Sequence, residues 1–435
     1  MSKRKIDGGA ASPEVKTTKK PTKQQPHQSI SICIPSSVIS AKNAYNLQQK
    51  TMIAYQIAKA CLIYDVAEIV VLKQVEKGVE IVGKEKDTEK NHDGVAKTEV
   101  VVSGPGVGKK VVFSEEDDDT KVDLSSAPEV TQEPVAMTSE LDNQLHVVTN
   151  NNNGTLSNEI DDALLLASLL QFFITPPYLT KTMFSPRLNP KFATILSKFK
   201  YASKLPKIPS LPFMQNNNVH EHFKEGVIIP RATPKIKTKS KSNKNKLVPS
   251  PHKVTVSKYV NIGESEAMKL DIARELPVYS RVTVDVRNKT IVSAKSAYGV
   301  HGHRSSFGYH VRMVNDVQFN KLFTNSPLVD GYSETIFVNC DDYFDKWNQL
   351  LQEQGVPTYE KKKKKSEESG GTNVNVLMIL GNLGTIQRNF ECDEAKEEMF
   401  EGLESVVKLF DYRLDIPNGC KIEDAILIAL TRLQQ

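Results

Sequence analysis

Val374-Asn375-Val376-Leu377-Met378-Ile379-Leu380-Gly381-Asn382-Leu383-Gly384 is the stretch on which the fold turns. Val376 to Leu380 is an unbroken apolar run that stops at a glycine, with a second glycine at Gly384. A strand buried on both faces of a parallel sheet reads this way, whereas a half-exposed strand alternates. In open α/β sheets ligands gather beyond the carboxyl ends of the strands, where glycine lets backbone amides approach closely. The same two glycines also suit a plain turn, and the stretch alone leaves both readings open.

Working outward, the flanking sequence supplies the partners such a strand needs. Ser29-Ile30-Ser31-Ile32-Cys33-Ile34 alternates and is stopped by Pro35. Asn43 to Tyr64 carries apolar residues near the helical period, and Ala67 to Leu72 is a second buried strand. Strand, helix, strand over this distance is a βαβ unit and predicts a parallel sheet. Asn158 to Ile174 predicts a buried helix, with Asp161 and Asp162 at its start and Pro176-Pro177 beyond its end. Lys204 to Met214 carries prolines at 206, 209 and 212 and predicts an extended surface segment. Toward the end of the chain, helices are predicted over Tyr343 to Gln354, Cys392 to Phe410 and Ile422 to Gln434, with strands ending at Val338 and covering Tyr412 to Ile416.

Between these blocks the character changes. Met1 to Gln28 is polar and lysine-rich and predicts a disordered basic tail. Such a tail fits a nuclear address or a phosphate-binding arm, and equally a solvated tail with no partner. Residues 73–157 hold an acidic block, Glu115 to Asp119, and a run of asparagines, and read as a disordered insertion. Gly104 to Lys110 imitates a phosphate-binding loop, but Ser103 stands where the first glycine belongs and Lys110 replaces the magnesium-holding Ser or Thr. Residues 226–320 carry short β-like runs, at Gly226 to Ile229, Val254 to Val256, Arg281 to Val286, Thr290 to Ala294 and Gly308 to Val314, with Arg287-Asn288-Lys289 as a hairpin link. This is the size of a small OB-like β-barrel. A basic loop, 231–246, and the aromatics Tyr298, Phe307 and Tyr309 would suit single-stranded nucleic acid, or the rings would be barrel core. His301-Gly302-His303-Arg304 has no neighbouring cysteine or carboxylate and does not read as a metal site.

Composition narrows the class. The net charge is +5 over 435 residues, mild on average but strongly segregated. The five cysteines have no close spacing, which argues against a disulfide framework or a zinc ribbon and for a reducing compartment. No apolar run reaches membrane-spanning length, and no hydrophobic signal core is found near the start.

The chain resembles the eukaryotic and archaeal branch of the SPOUT class of α/β-knot methyltransferases. The resemblance is carried by Tyr55 to Ala60 leading to Ala67 to Val71, by Pro177-Tyr178-Leu179 through Phe184, by Gly331-Tyr332-Ser333-Glu334-Thr335, by Leu380 to Gly384, and by Glu423 to Leu430. It spans 29–72 and 158–435. It implies a knotted parallel-sheet domain built from 29–72, 158–225 and 321–435, with the barrel 226–320 inserted. It implies S-adenosyl-L-methionine as cofactor, held by Leu380, Gly381, Asn382, Gly384, Ile416, Pro417, Gly419, Ile422 and Ala425. On the same ground Glu334 is the candidate polar catalytic group and Lys59 a candidate RNA contact. The implied activity is methylation of RNA, ribosomal or pre-ribosomal, by a homodimer or a dimer with a paralogue, in the nucleus with the nucleolus as one compartment. The chain departs from the family pattern in three places: Gly381-Asn382 replaces two adjacent glycines, Thr335-Ile336 follows Ser333-Glu334 where Arg-Gly is usual, and the loop Asn418 to Lys421 is short. These departures motivate the alternative, a catalytically inactive RNA-binding factor of the same fold in ribosome assembly.

Overall fold

A computed structural model describes residues 28–75, 160–214, 222–231, 236–239, 245–248, 254–300, 306–328, 330–342, 346–360 and 374–434. The basic tail, nearly all of the acidic insertion, the imitation phosphate loop and His301 to Arg304 lie outside the described residues.

Six strands form one parallel sheet: β1 (Gln28–Pro35), β2 (Glu68–Leu72), β3 (His310–Val314), β4 (Glu334–Asn339), β5 (Val374–Gly381) and β6 (Tyr412–Arg413), in the order β3-β2-β1-β5-β4-β6. The quoted stretch is therefore central: β5 arrives late in the chain yet lies between β1 and β4, in register Ile32 with Met378 and Phe337 with Ile379. Its residues from Asn375 to Gly381 are all buried, as an unbroken apolar run requires.

Alternate residues feed two cores. Ile32, Ile34, Val71, Val338, Met378 and Leu380 face helices α1 (Leu47–Ile63), α2 (Asp162–Phe173) and α4 (Ile422–Gln434). Cys33, Val70, Phe337, Leu377 and Ile379 face the other way, onto Phe319, Leu322, Leu351, Phe410 and helix α3 (Leu383–Glu391). The helix starts follow from capping: Asn46 Oδ1 accepts from Gln49 N at 2.9 Å and Asp161 Oδ1 from Ala163 N at 3.1 Å. On the second face a buried ion pair joins β2 to β3. Arg312 Nε lies 2.7 Å from Glu68 Oε1, and the guanidinium also donates to the carbonyls of Lys321 and Leu322. Burial beside this pair pushes the Cys33 thiol up to about 12, the carboxylate of Glu68 adding to the rise and Arg312 opposing it.

The insert is a five-stranded antiparallel sheet, ordered Thr290–Val292, Arg281–Asp285, Phe223–Ile229, Tyr259–Asn261, Met268–Lys269. Its small core holds Ile228, Val260, Ile262, Leu270, Val282 and Val284. The expected hairpin link is present, with Asp285 Oδ1 accepting from the amides of Arg287 and Asn288.

Several expectations are corrected. The run Gly308 to Val314 belongs to the parallel sheet, where His310–Val314 is its edge strand β3, because its apolar residues Val311 and Val314 serve the two large cores. The basic loop is partly strand: Ile236–Lys239 pairs antiparallel with Asn245–Val248. Of the two readings left open for the aromatics, burial holds for Tyr298 and Tyr309, whose hydroxyls donate to Glu225 Oε1 and to the carbonyl of Leu170. Phe307 instead stacks on a cation, with the Arg281 guanidinium 4.9 Å from its ring centre. No helix runs from Cys392 to Phe410. Helix α3 has already formed before it, Asp393 then caps Ala395, and Gly402 at φ +74° interrupts the remainder of the segment.

Candidate functional site

Parallel strands point all their carboxyl ends one way, so the loops after β4 and β5 open at the same edge of the sheet. Gly381, the last residue of β5, has φ +151°, a conformation that favours glycine, and Pro35 at the end of β1 lies against it. Asn382 comes next as the cap of α3, its Oδ1 accepting from Gly384 N at 3.0 Å. Gly384 sits under the Trp347 ring, and a Cβ there would be 2.7 Å from the indole Cζ2. The glycines of the quoted stretch thus serve a strand end and a close approach, not a simple turn.

The loop after β4 stitches the edge together through backbone groups. Cys340 N donates to Gly381 O at 3.2 Å, Asp341 N to Cys420 O at 2.9 Å, and Gly419 N donates to Asp342 O at 3.1 Å. Three segments distant in sequence, 339–342, 381–384 and 416–422, therefore meet. Leu380, Ile416, Ile422 and Ala425 are buried beneath them, while Pro417 and Gly419 are exposed above. Gly419 holds φ +76°. Eight of the nine residues expected at a cofactor site lie on these segments or on the first turn of α4 directly after them, and the ninth, Leu380, is the strand residue just before Gly381.

The polar groups at this edge are carried by the Asn339–Asp342 loop and α4. Asn339 Nδ2 donates to Asp342 Oδ2 at 3.1 Å, and the same oxygen accepts from Trp347 N. Asn339 Oδ1 is buried without a hydrogen-bond partner among the described residues. Asp341 holds φ +58°, a strained conformation for a residue with a side chain. Its carboxyl is raised from its ordinary value by desolvation, against the opposing charge of Lys421. The carboxyl of Glu423 is raised as well, first by burial and then by the nearby carboxylates of Asp341 and Asp424. Burial lifts the Cys340 thiol well above its usual range. The edge thus offers an apolar floor, peptide walls, a spare buried acceptor and two carboxyls biased toward holding a proton.

Neither Glu334, the candidate catalytic group, nor Lys59, the candidate RNA contact, lies here. Glu334 is the first residue of β4, level with Val376. Five strand steps separate it from Asn339, about 17 Å at the usual rise. Lys59 is exposed on α1, outside the three segments. Sequence reasoning missed Asn339, Asp341, Asp342 and Trp347. The signal was available: the polar run Asn339-Cys340-Asp341-Asp342 directly follows a buried strand, and the carboxyl-end rule applied to β5 holds for β4 too.

Comparison with known proteins identifies the family. A family model described as "Putative RNA methyltransferase" matches residues 29–433, spanning both parts of the sheet and the insert. The chain belongs to this family, a branch of the SPOUT class. It is similar to "Putative methyltransferase YMR310C" of Saccharomyces cerevisiae, 26% identical over 421 residues that cover 96% of each protein. It is also similar to "Putative methyltransferase YGR283C" of the same yeast, 27% identical over 411 residues covering 93% of this chain and 87% of the relative. No helix among the described residues is long and apolar enough to cross a membrane.

Proposed function

We propose that the protein is an S-adenosyl-L-methionine-dependent RNA methyltransferase acting on ribosomal or pre-ribosomal RNA in the nucleus, the nucleolus being one compartment that fits. The observation that carries this reading is the meeting of 339–342, 381–384 and 416–422 through peptide hydrogen bonds at the carboxyl edge of a parallel sheet. In this reading β5, laid between β1 and β4, closes a trefoil knot, and the insert acts as an OB-like RNA-binding module. The residues fit the cofactor: the buried, unpartnered Asn339 Oδ1 supplies an acceptor for a donor group, and Leu380, Ile416, Ile422 and Ala425 supply an apolar floor. Gly381, Asn382, Gly384, Pro417 and Gly419 would hold it through the backbone.

When bound, the cofactor supplies an electrophilic methyl group. The chain's own residues do the rest. The apolar floor excludes water, and the peptide walls fix orientation without side chains that must reorganise. Asp341 is the carboxylate best placed to take a proton from an RNA oxygen or nitrogen, and partial desolvation raises its carboxyl from the ordinary value, making it a stronger base than a free carboxylate. A dimer, with itself or a paralogue, would be formed through the exposed apolar residues Met52 and Ile63 of α1 and Leu427 of α4.

One observation favours a second reading, an inactive RNA-binding factor in ribosome assembly: Glu334 and Lys59 both lie away from the stitched loops. Calorimetric titration with S-adenosylmethionine, followed by transfer of a labelled methyl group to ribosomal RNA, separates the two. Saturable binding with transfer is expected; absence of binding at millimolar cofactor would remove the enzyme reading.

A further inference from the structure

The two basic segments visible by composition, the tail and the 231–246 loop, lie outside the parallel-sheet domain, which carries an unopposed run of its own. Between Asp162 and Glu221 the chain contains no acidic residue, and seven lysines and arginines fall between Lys181 and Lys207. Six of the seven are exposed and Lys198 is half-buried. Cations flanking this segment are matched: Lys50 lies 2.5 Å from Asp162, Lys73 3.4 Å from Asp161 and Lys224 3.2 Å from Glu264. Among the described residues none of the seven forms an ion pair.

The segment is also a built scaffold rather than a loose loop. Phe184, Phe192 and Phe199 pack together at ring separations of 5.3 and 4.7 Å, and Phe172 of α2 closes on Phe199 at 4.6 Å. Leu188, Ile195, Ala202 and Ile208 are buried with them. The apolar residues point into the core and the cations are left on the outside. This is a costly arrangement in isolation, because like charges are fixed near one another with no acid to relieve them. It is joined directly to the insert: Asn261 Nδ2 donates to Thr182 Oγ1 at 2.8 Å, Tyr178 Oη to the Glu225 carbonyl at 3.0 Å, and Gly263 lies flat on the Tyr178 ring.

We propose that the outer surface of residues 181–207 is an RNA-backbone-binding face of the parallel-sheet domain, continuous with the insert. Charge complementarity to a phosphate chain selects the occupant. The inference rests on the RNA methyltransferase reading and adds the place where the substrate lies.

The test uses the full-length protein with Lys191→Glu, Lys200→Glu and Lys204→Glu combined, and a labelled single-stranded RNA as probe, titrated over a range of salt. If all three contact phosphate, the slope of log affinity against log salt falls by about 2, and affinity drops on the order of 10- to 50-fold at physiological salt. The milder triple change to glutamine should give the same direction with a Tm no lower than that of wild type. Cofactor affinity should stay at its wild-type value in both variants. Lys42→Glu with Lys408→Glu, exposed cations elsewhere, should leave RNA affinity nearly unchanged. Wild type that binds RNA, with a triple variant that binds it as tightly and with the same salt slope, overturns the basic face alone. Wild type that binds no RNA overturns the RNA reading as well. Stronger binding to phosphatidylserine vesicles than to RNA, lost in the triple variant, would reassign the face to a membrane surface.

Discussion

Replacing Gly384 by alanine places a methyl group 2.7 Å from Cζ2 and 3.3 Å from Cη2 of Trp347, and 3.3 Å from Asn382 Oδ1. Carbon atoms rest near 3.5–4.0 Å, so the indole must retreat by about 1 Å. It has little room, since it packs against the cluster that includes Phe337, Ile379, Leu383 and Ile386. Overpacking of this kind costs about 1–3 kcal/mol. Alanine recovers up to about 1 kcal/mol of helix propensity, because Gly384 is the second residue of α3. The net loss is about 1 kcal/mol, or a Tm lower by about 2–4 °C for a protein of this size. The displacement itself is easier to read than the stability. Trp347 is the sole tryptophan, so its emission reports on this one place. We expect altered emission and greater quenching by acrylamide, together with roughly tenfold weaker S-adenosylmethionine binding, equivalent to about 1.4 kcal/mol. Unchanged emission and quenching in a folded Gly384→Ala protein would refute the packing of the ring on Gly384. Altered emission with unchanged cofactor affinity would refute the role of the 381–384 loop in the cradle while leaving the packing intact.

Three further outcomes are expected. Arg312→Met leaves Glu68 buried and opposed only by the Tyr332 hydroxyl at 2.6 Å; chemical denaturation should show a loss of about 3–5 kcal/mol, much of it restored in the double variant with Glu68→Leu, and no restoration would mean the pair is not the source. Asp341→Asn should lower methyl transfer while raising Tm at neutral pH, since a carboxyl whose folded value is raised stabilises the fold below its unfolded value and loses that contribution as pH rises through the folded one. The Tm difference between Asp341→Asn and wild type should therefore be absent in acid and grow as pH climbs past the ordinary carboxylate range; a difference that shrinks with rising pH would reverse the assignment. Leu427→Glu, on the exposed side of α4, should convert a dimer to a monomer in sedimentation without changing the circular dichroism, and an unchanged sedimentation coefficient would exclude that surface.

Much of the α/β architecture is legible in the sequence alone, and the reason is burial. Val376 to Leu380 and Ala67 to Leu72 read as strands because a sheet covered on both faces keeps their runs almost wholly apolar, whereas Ser29 to Ile34 reads as one by alternation although Ser31 is buried too. Helix α4 is legible from Ile422 to Gln434 because one of its faces is apolar at helical spacing and the other is charged. The family emerges from the order of short motifs, none of which speaks alone. Other features depend on contacts between segments far apart in the chain. The sequence could not show that β5 lies between β1 and β4, that His310–Val314 leaves the insert for the parallel sheet, or that Glu334 falls at the far end of its strand from the cradle. Strand order is set by which faces bury together, a tertiary quantity with no local signature. The same holds for the site. Gly381 and Gly384 are visible, but Asp341 becomes a candidate base only when Cys420 and Gly419 are hydrogen-bonded beside it and the neighbouring loops partly desolvate its carboxyl. The 181–207 charge was present in the composition all along; folding the phenylalanines inward is what turned it into a surface.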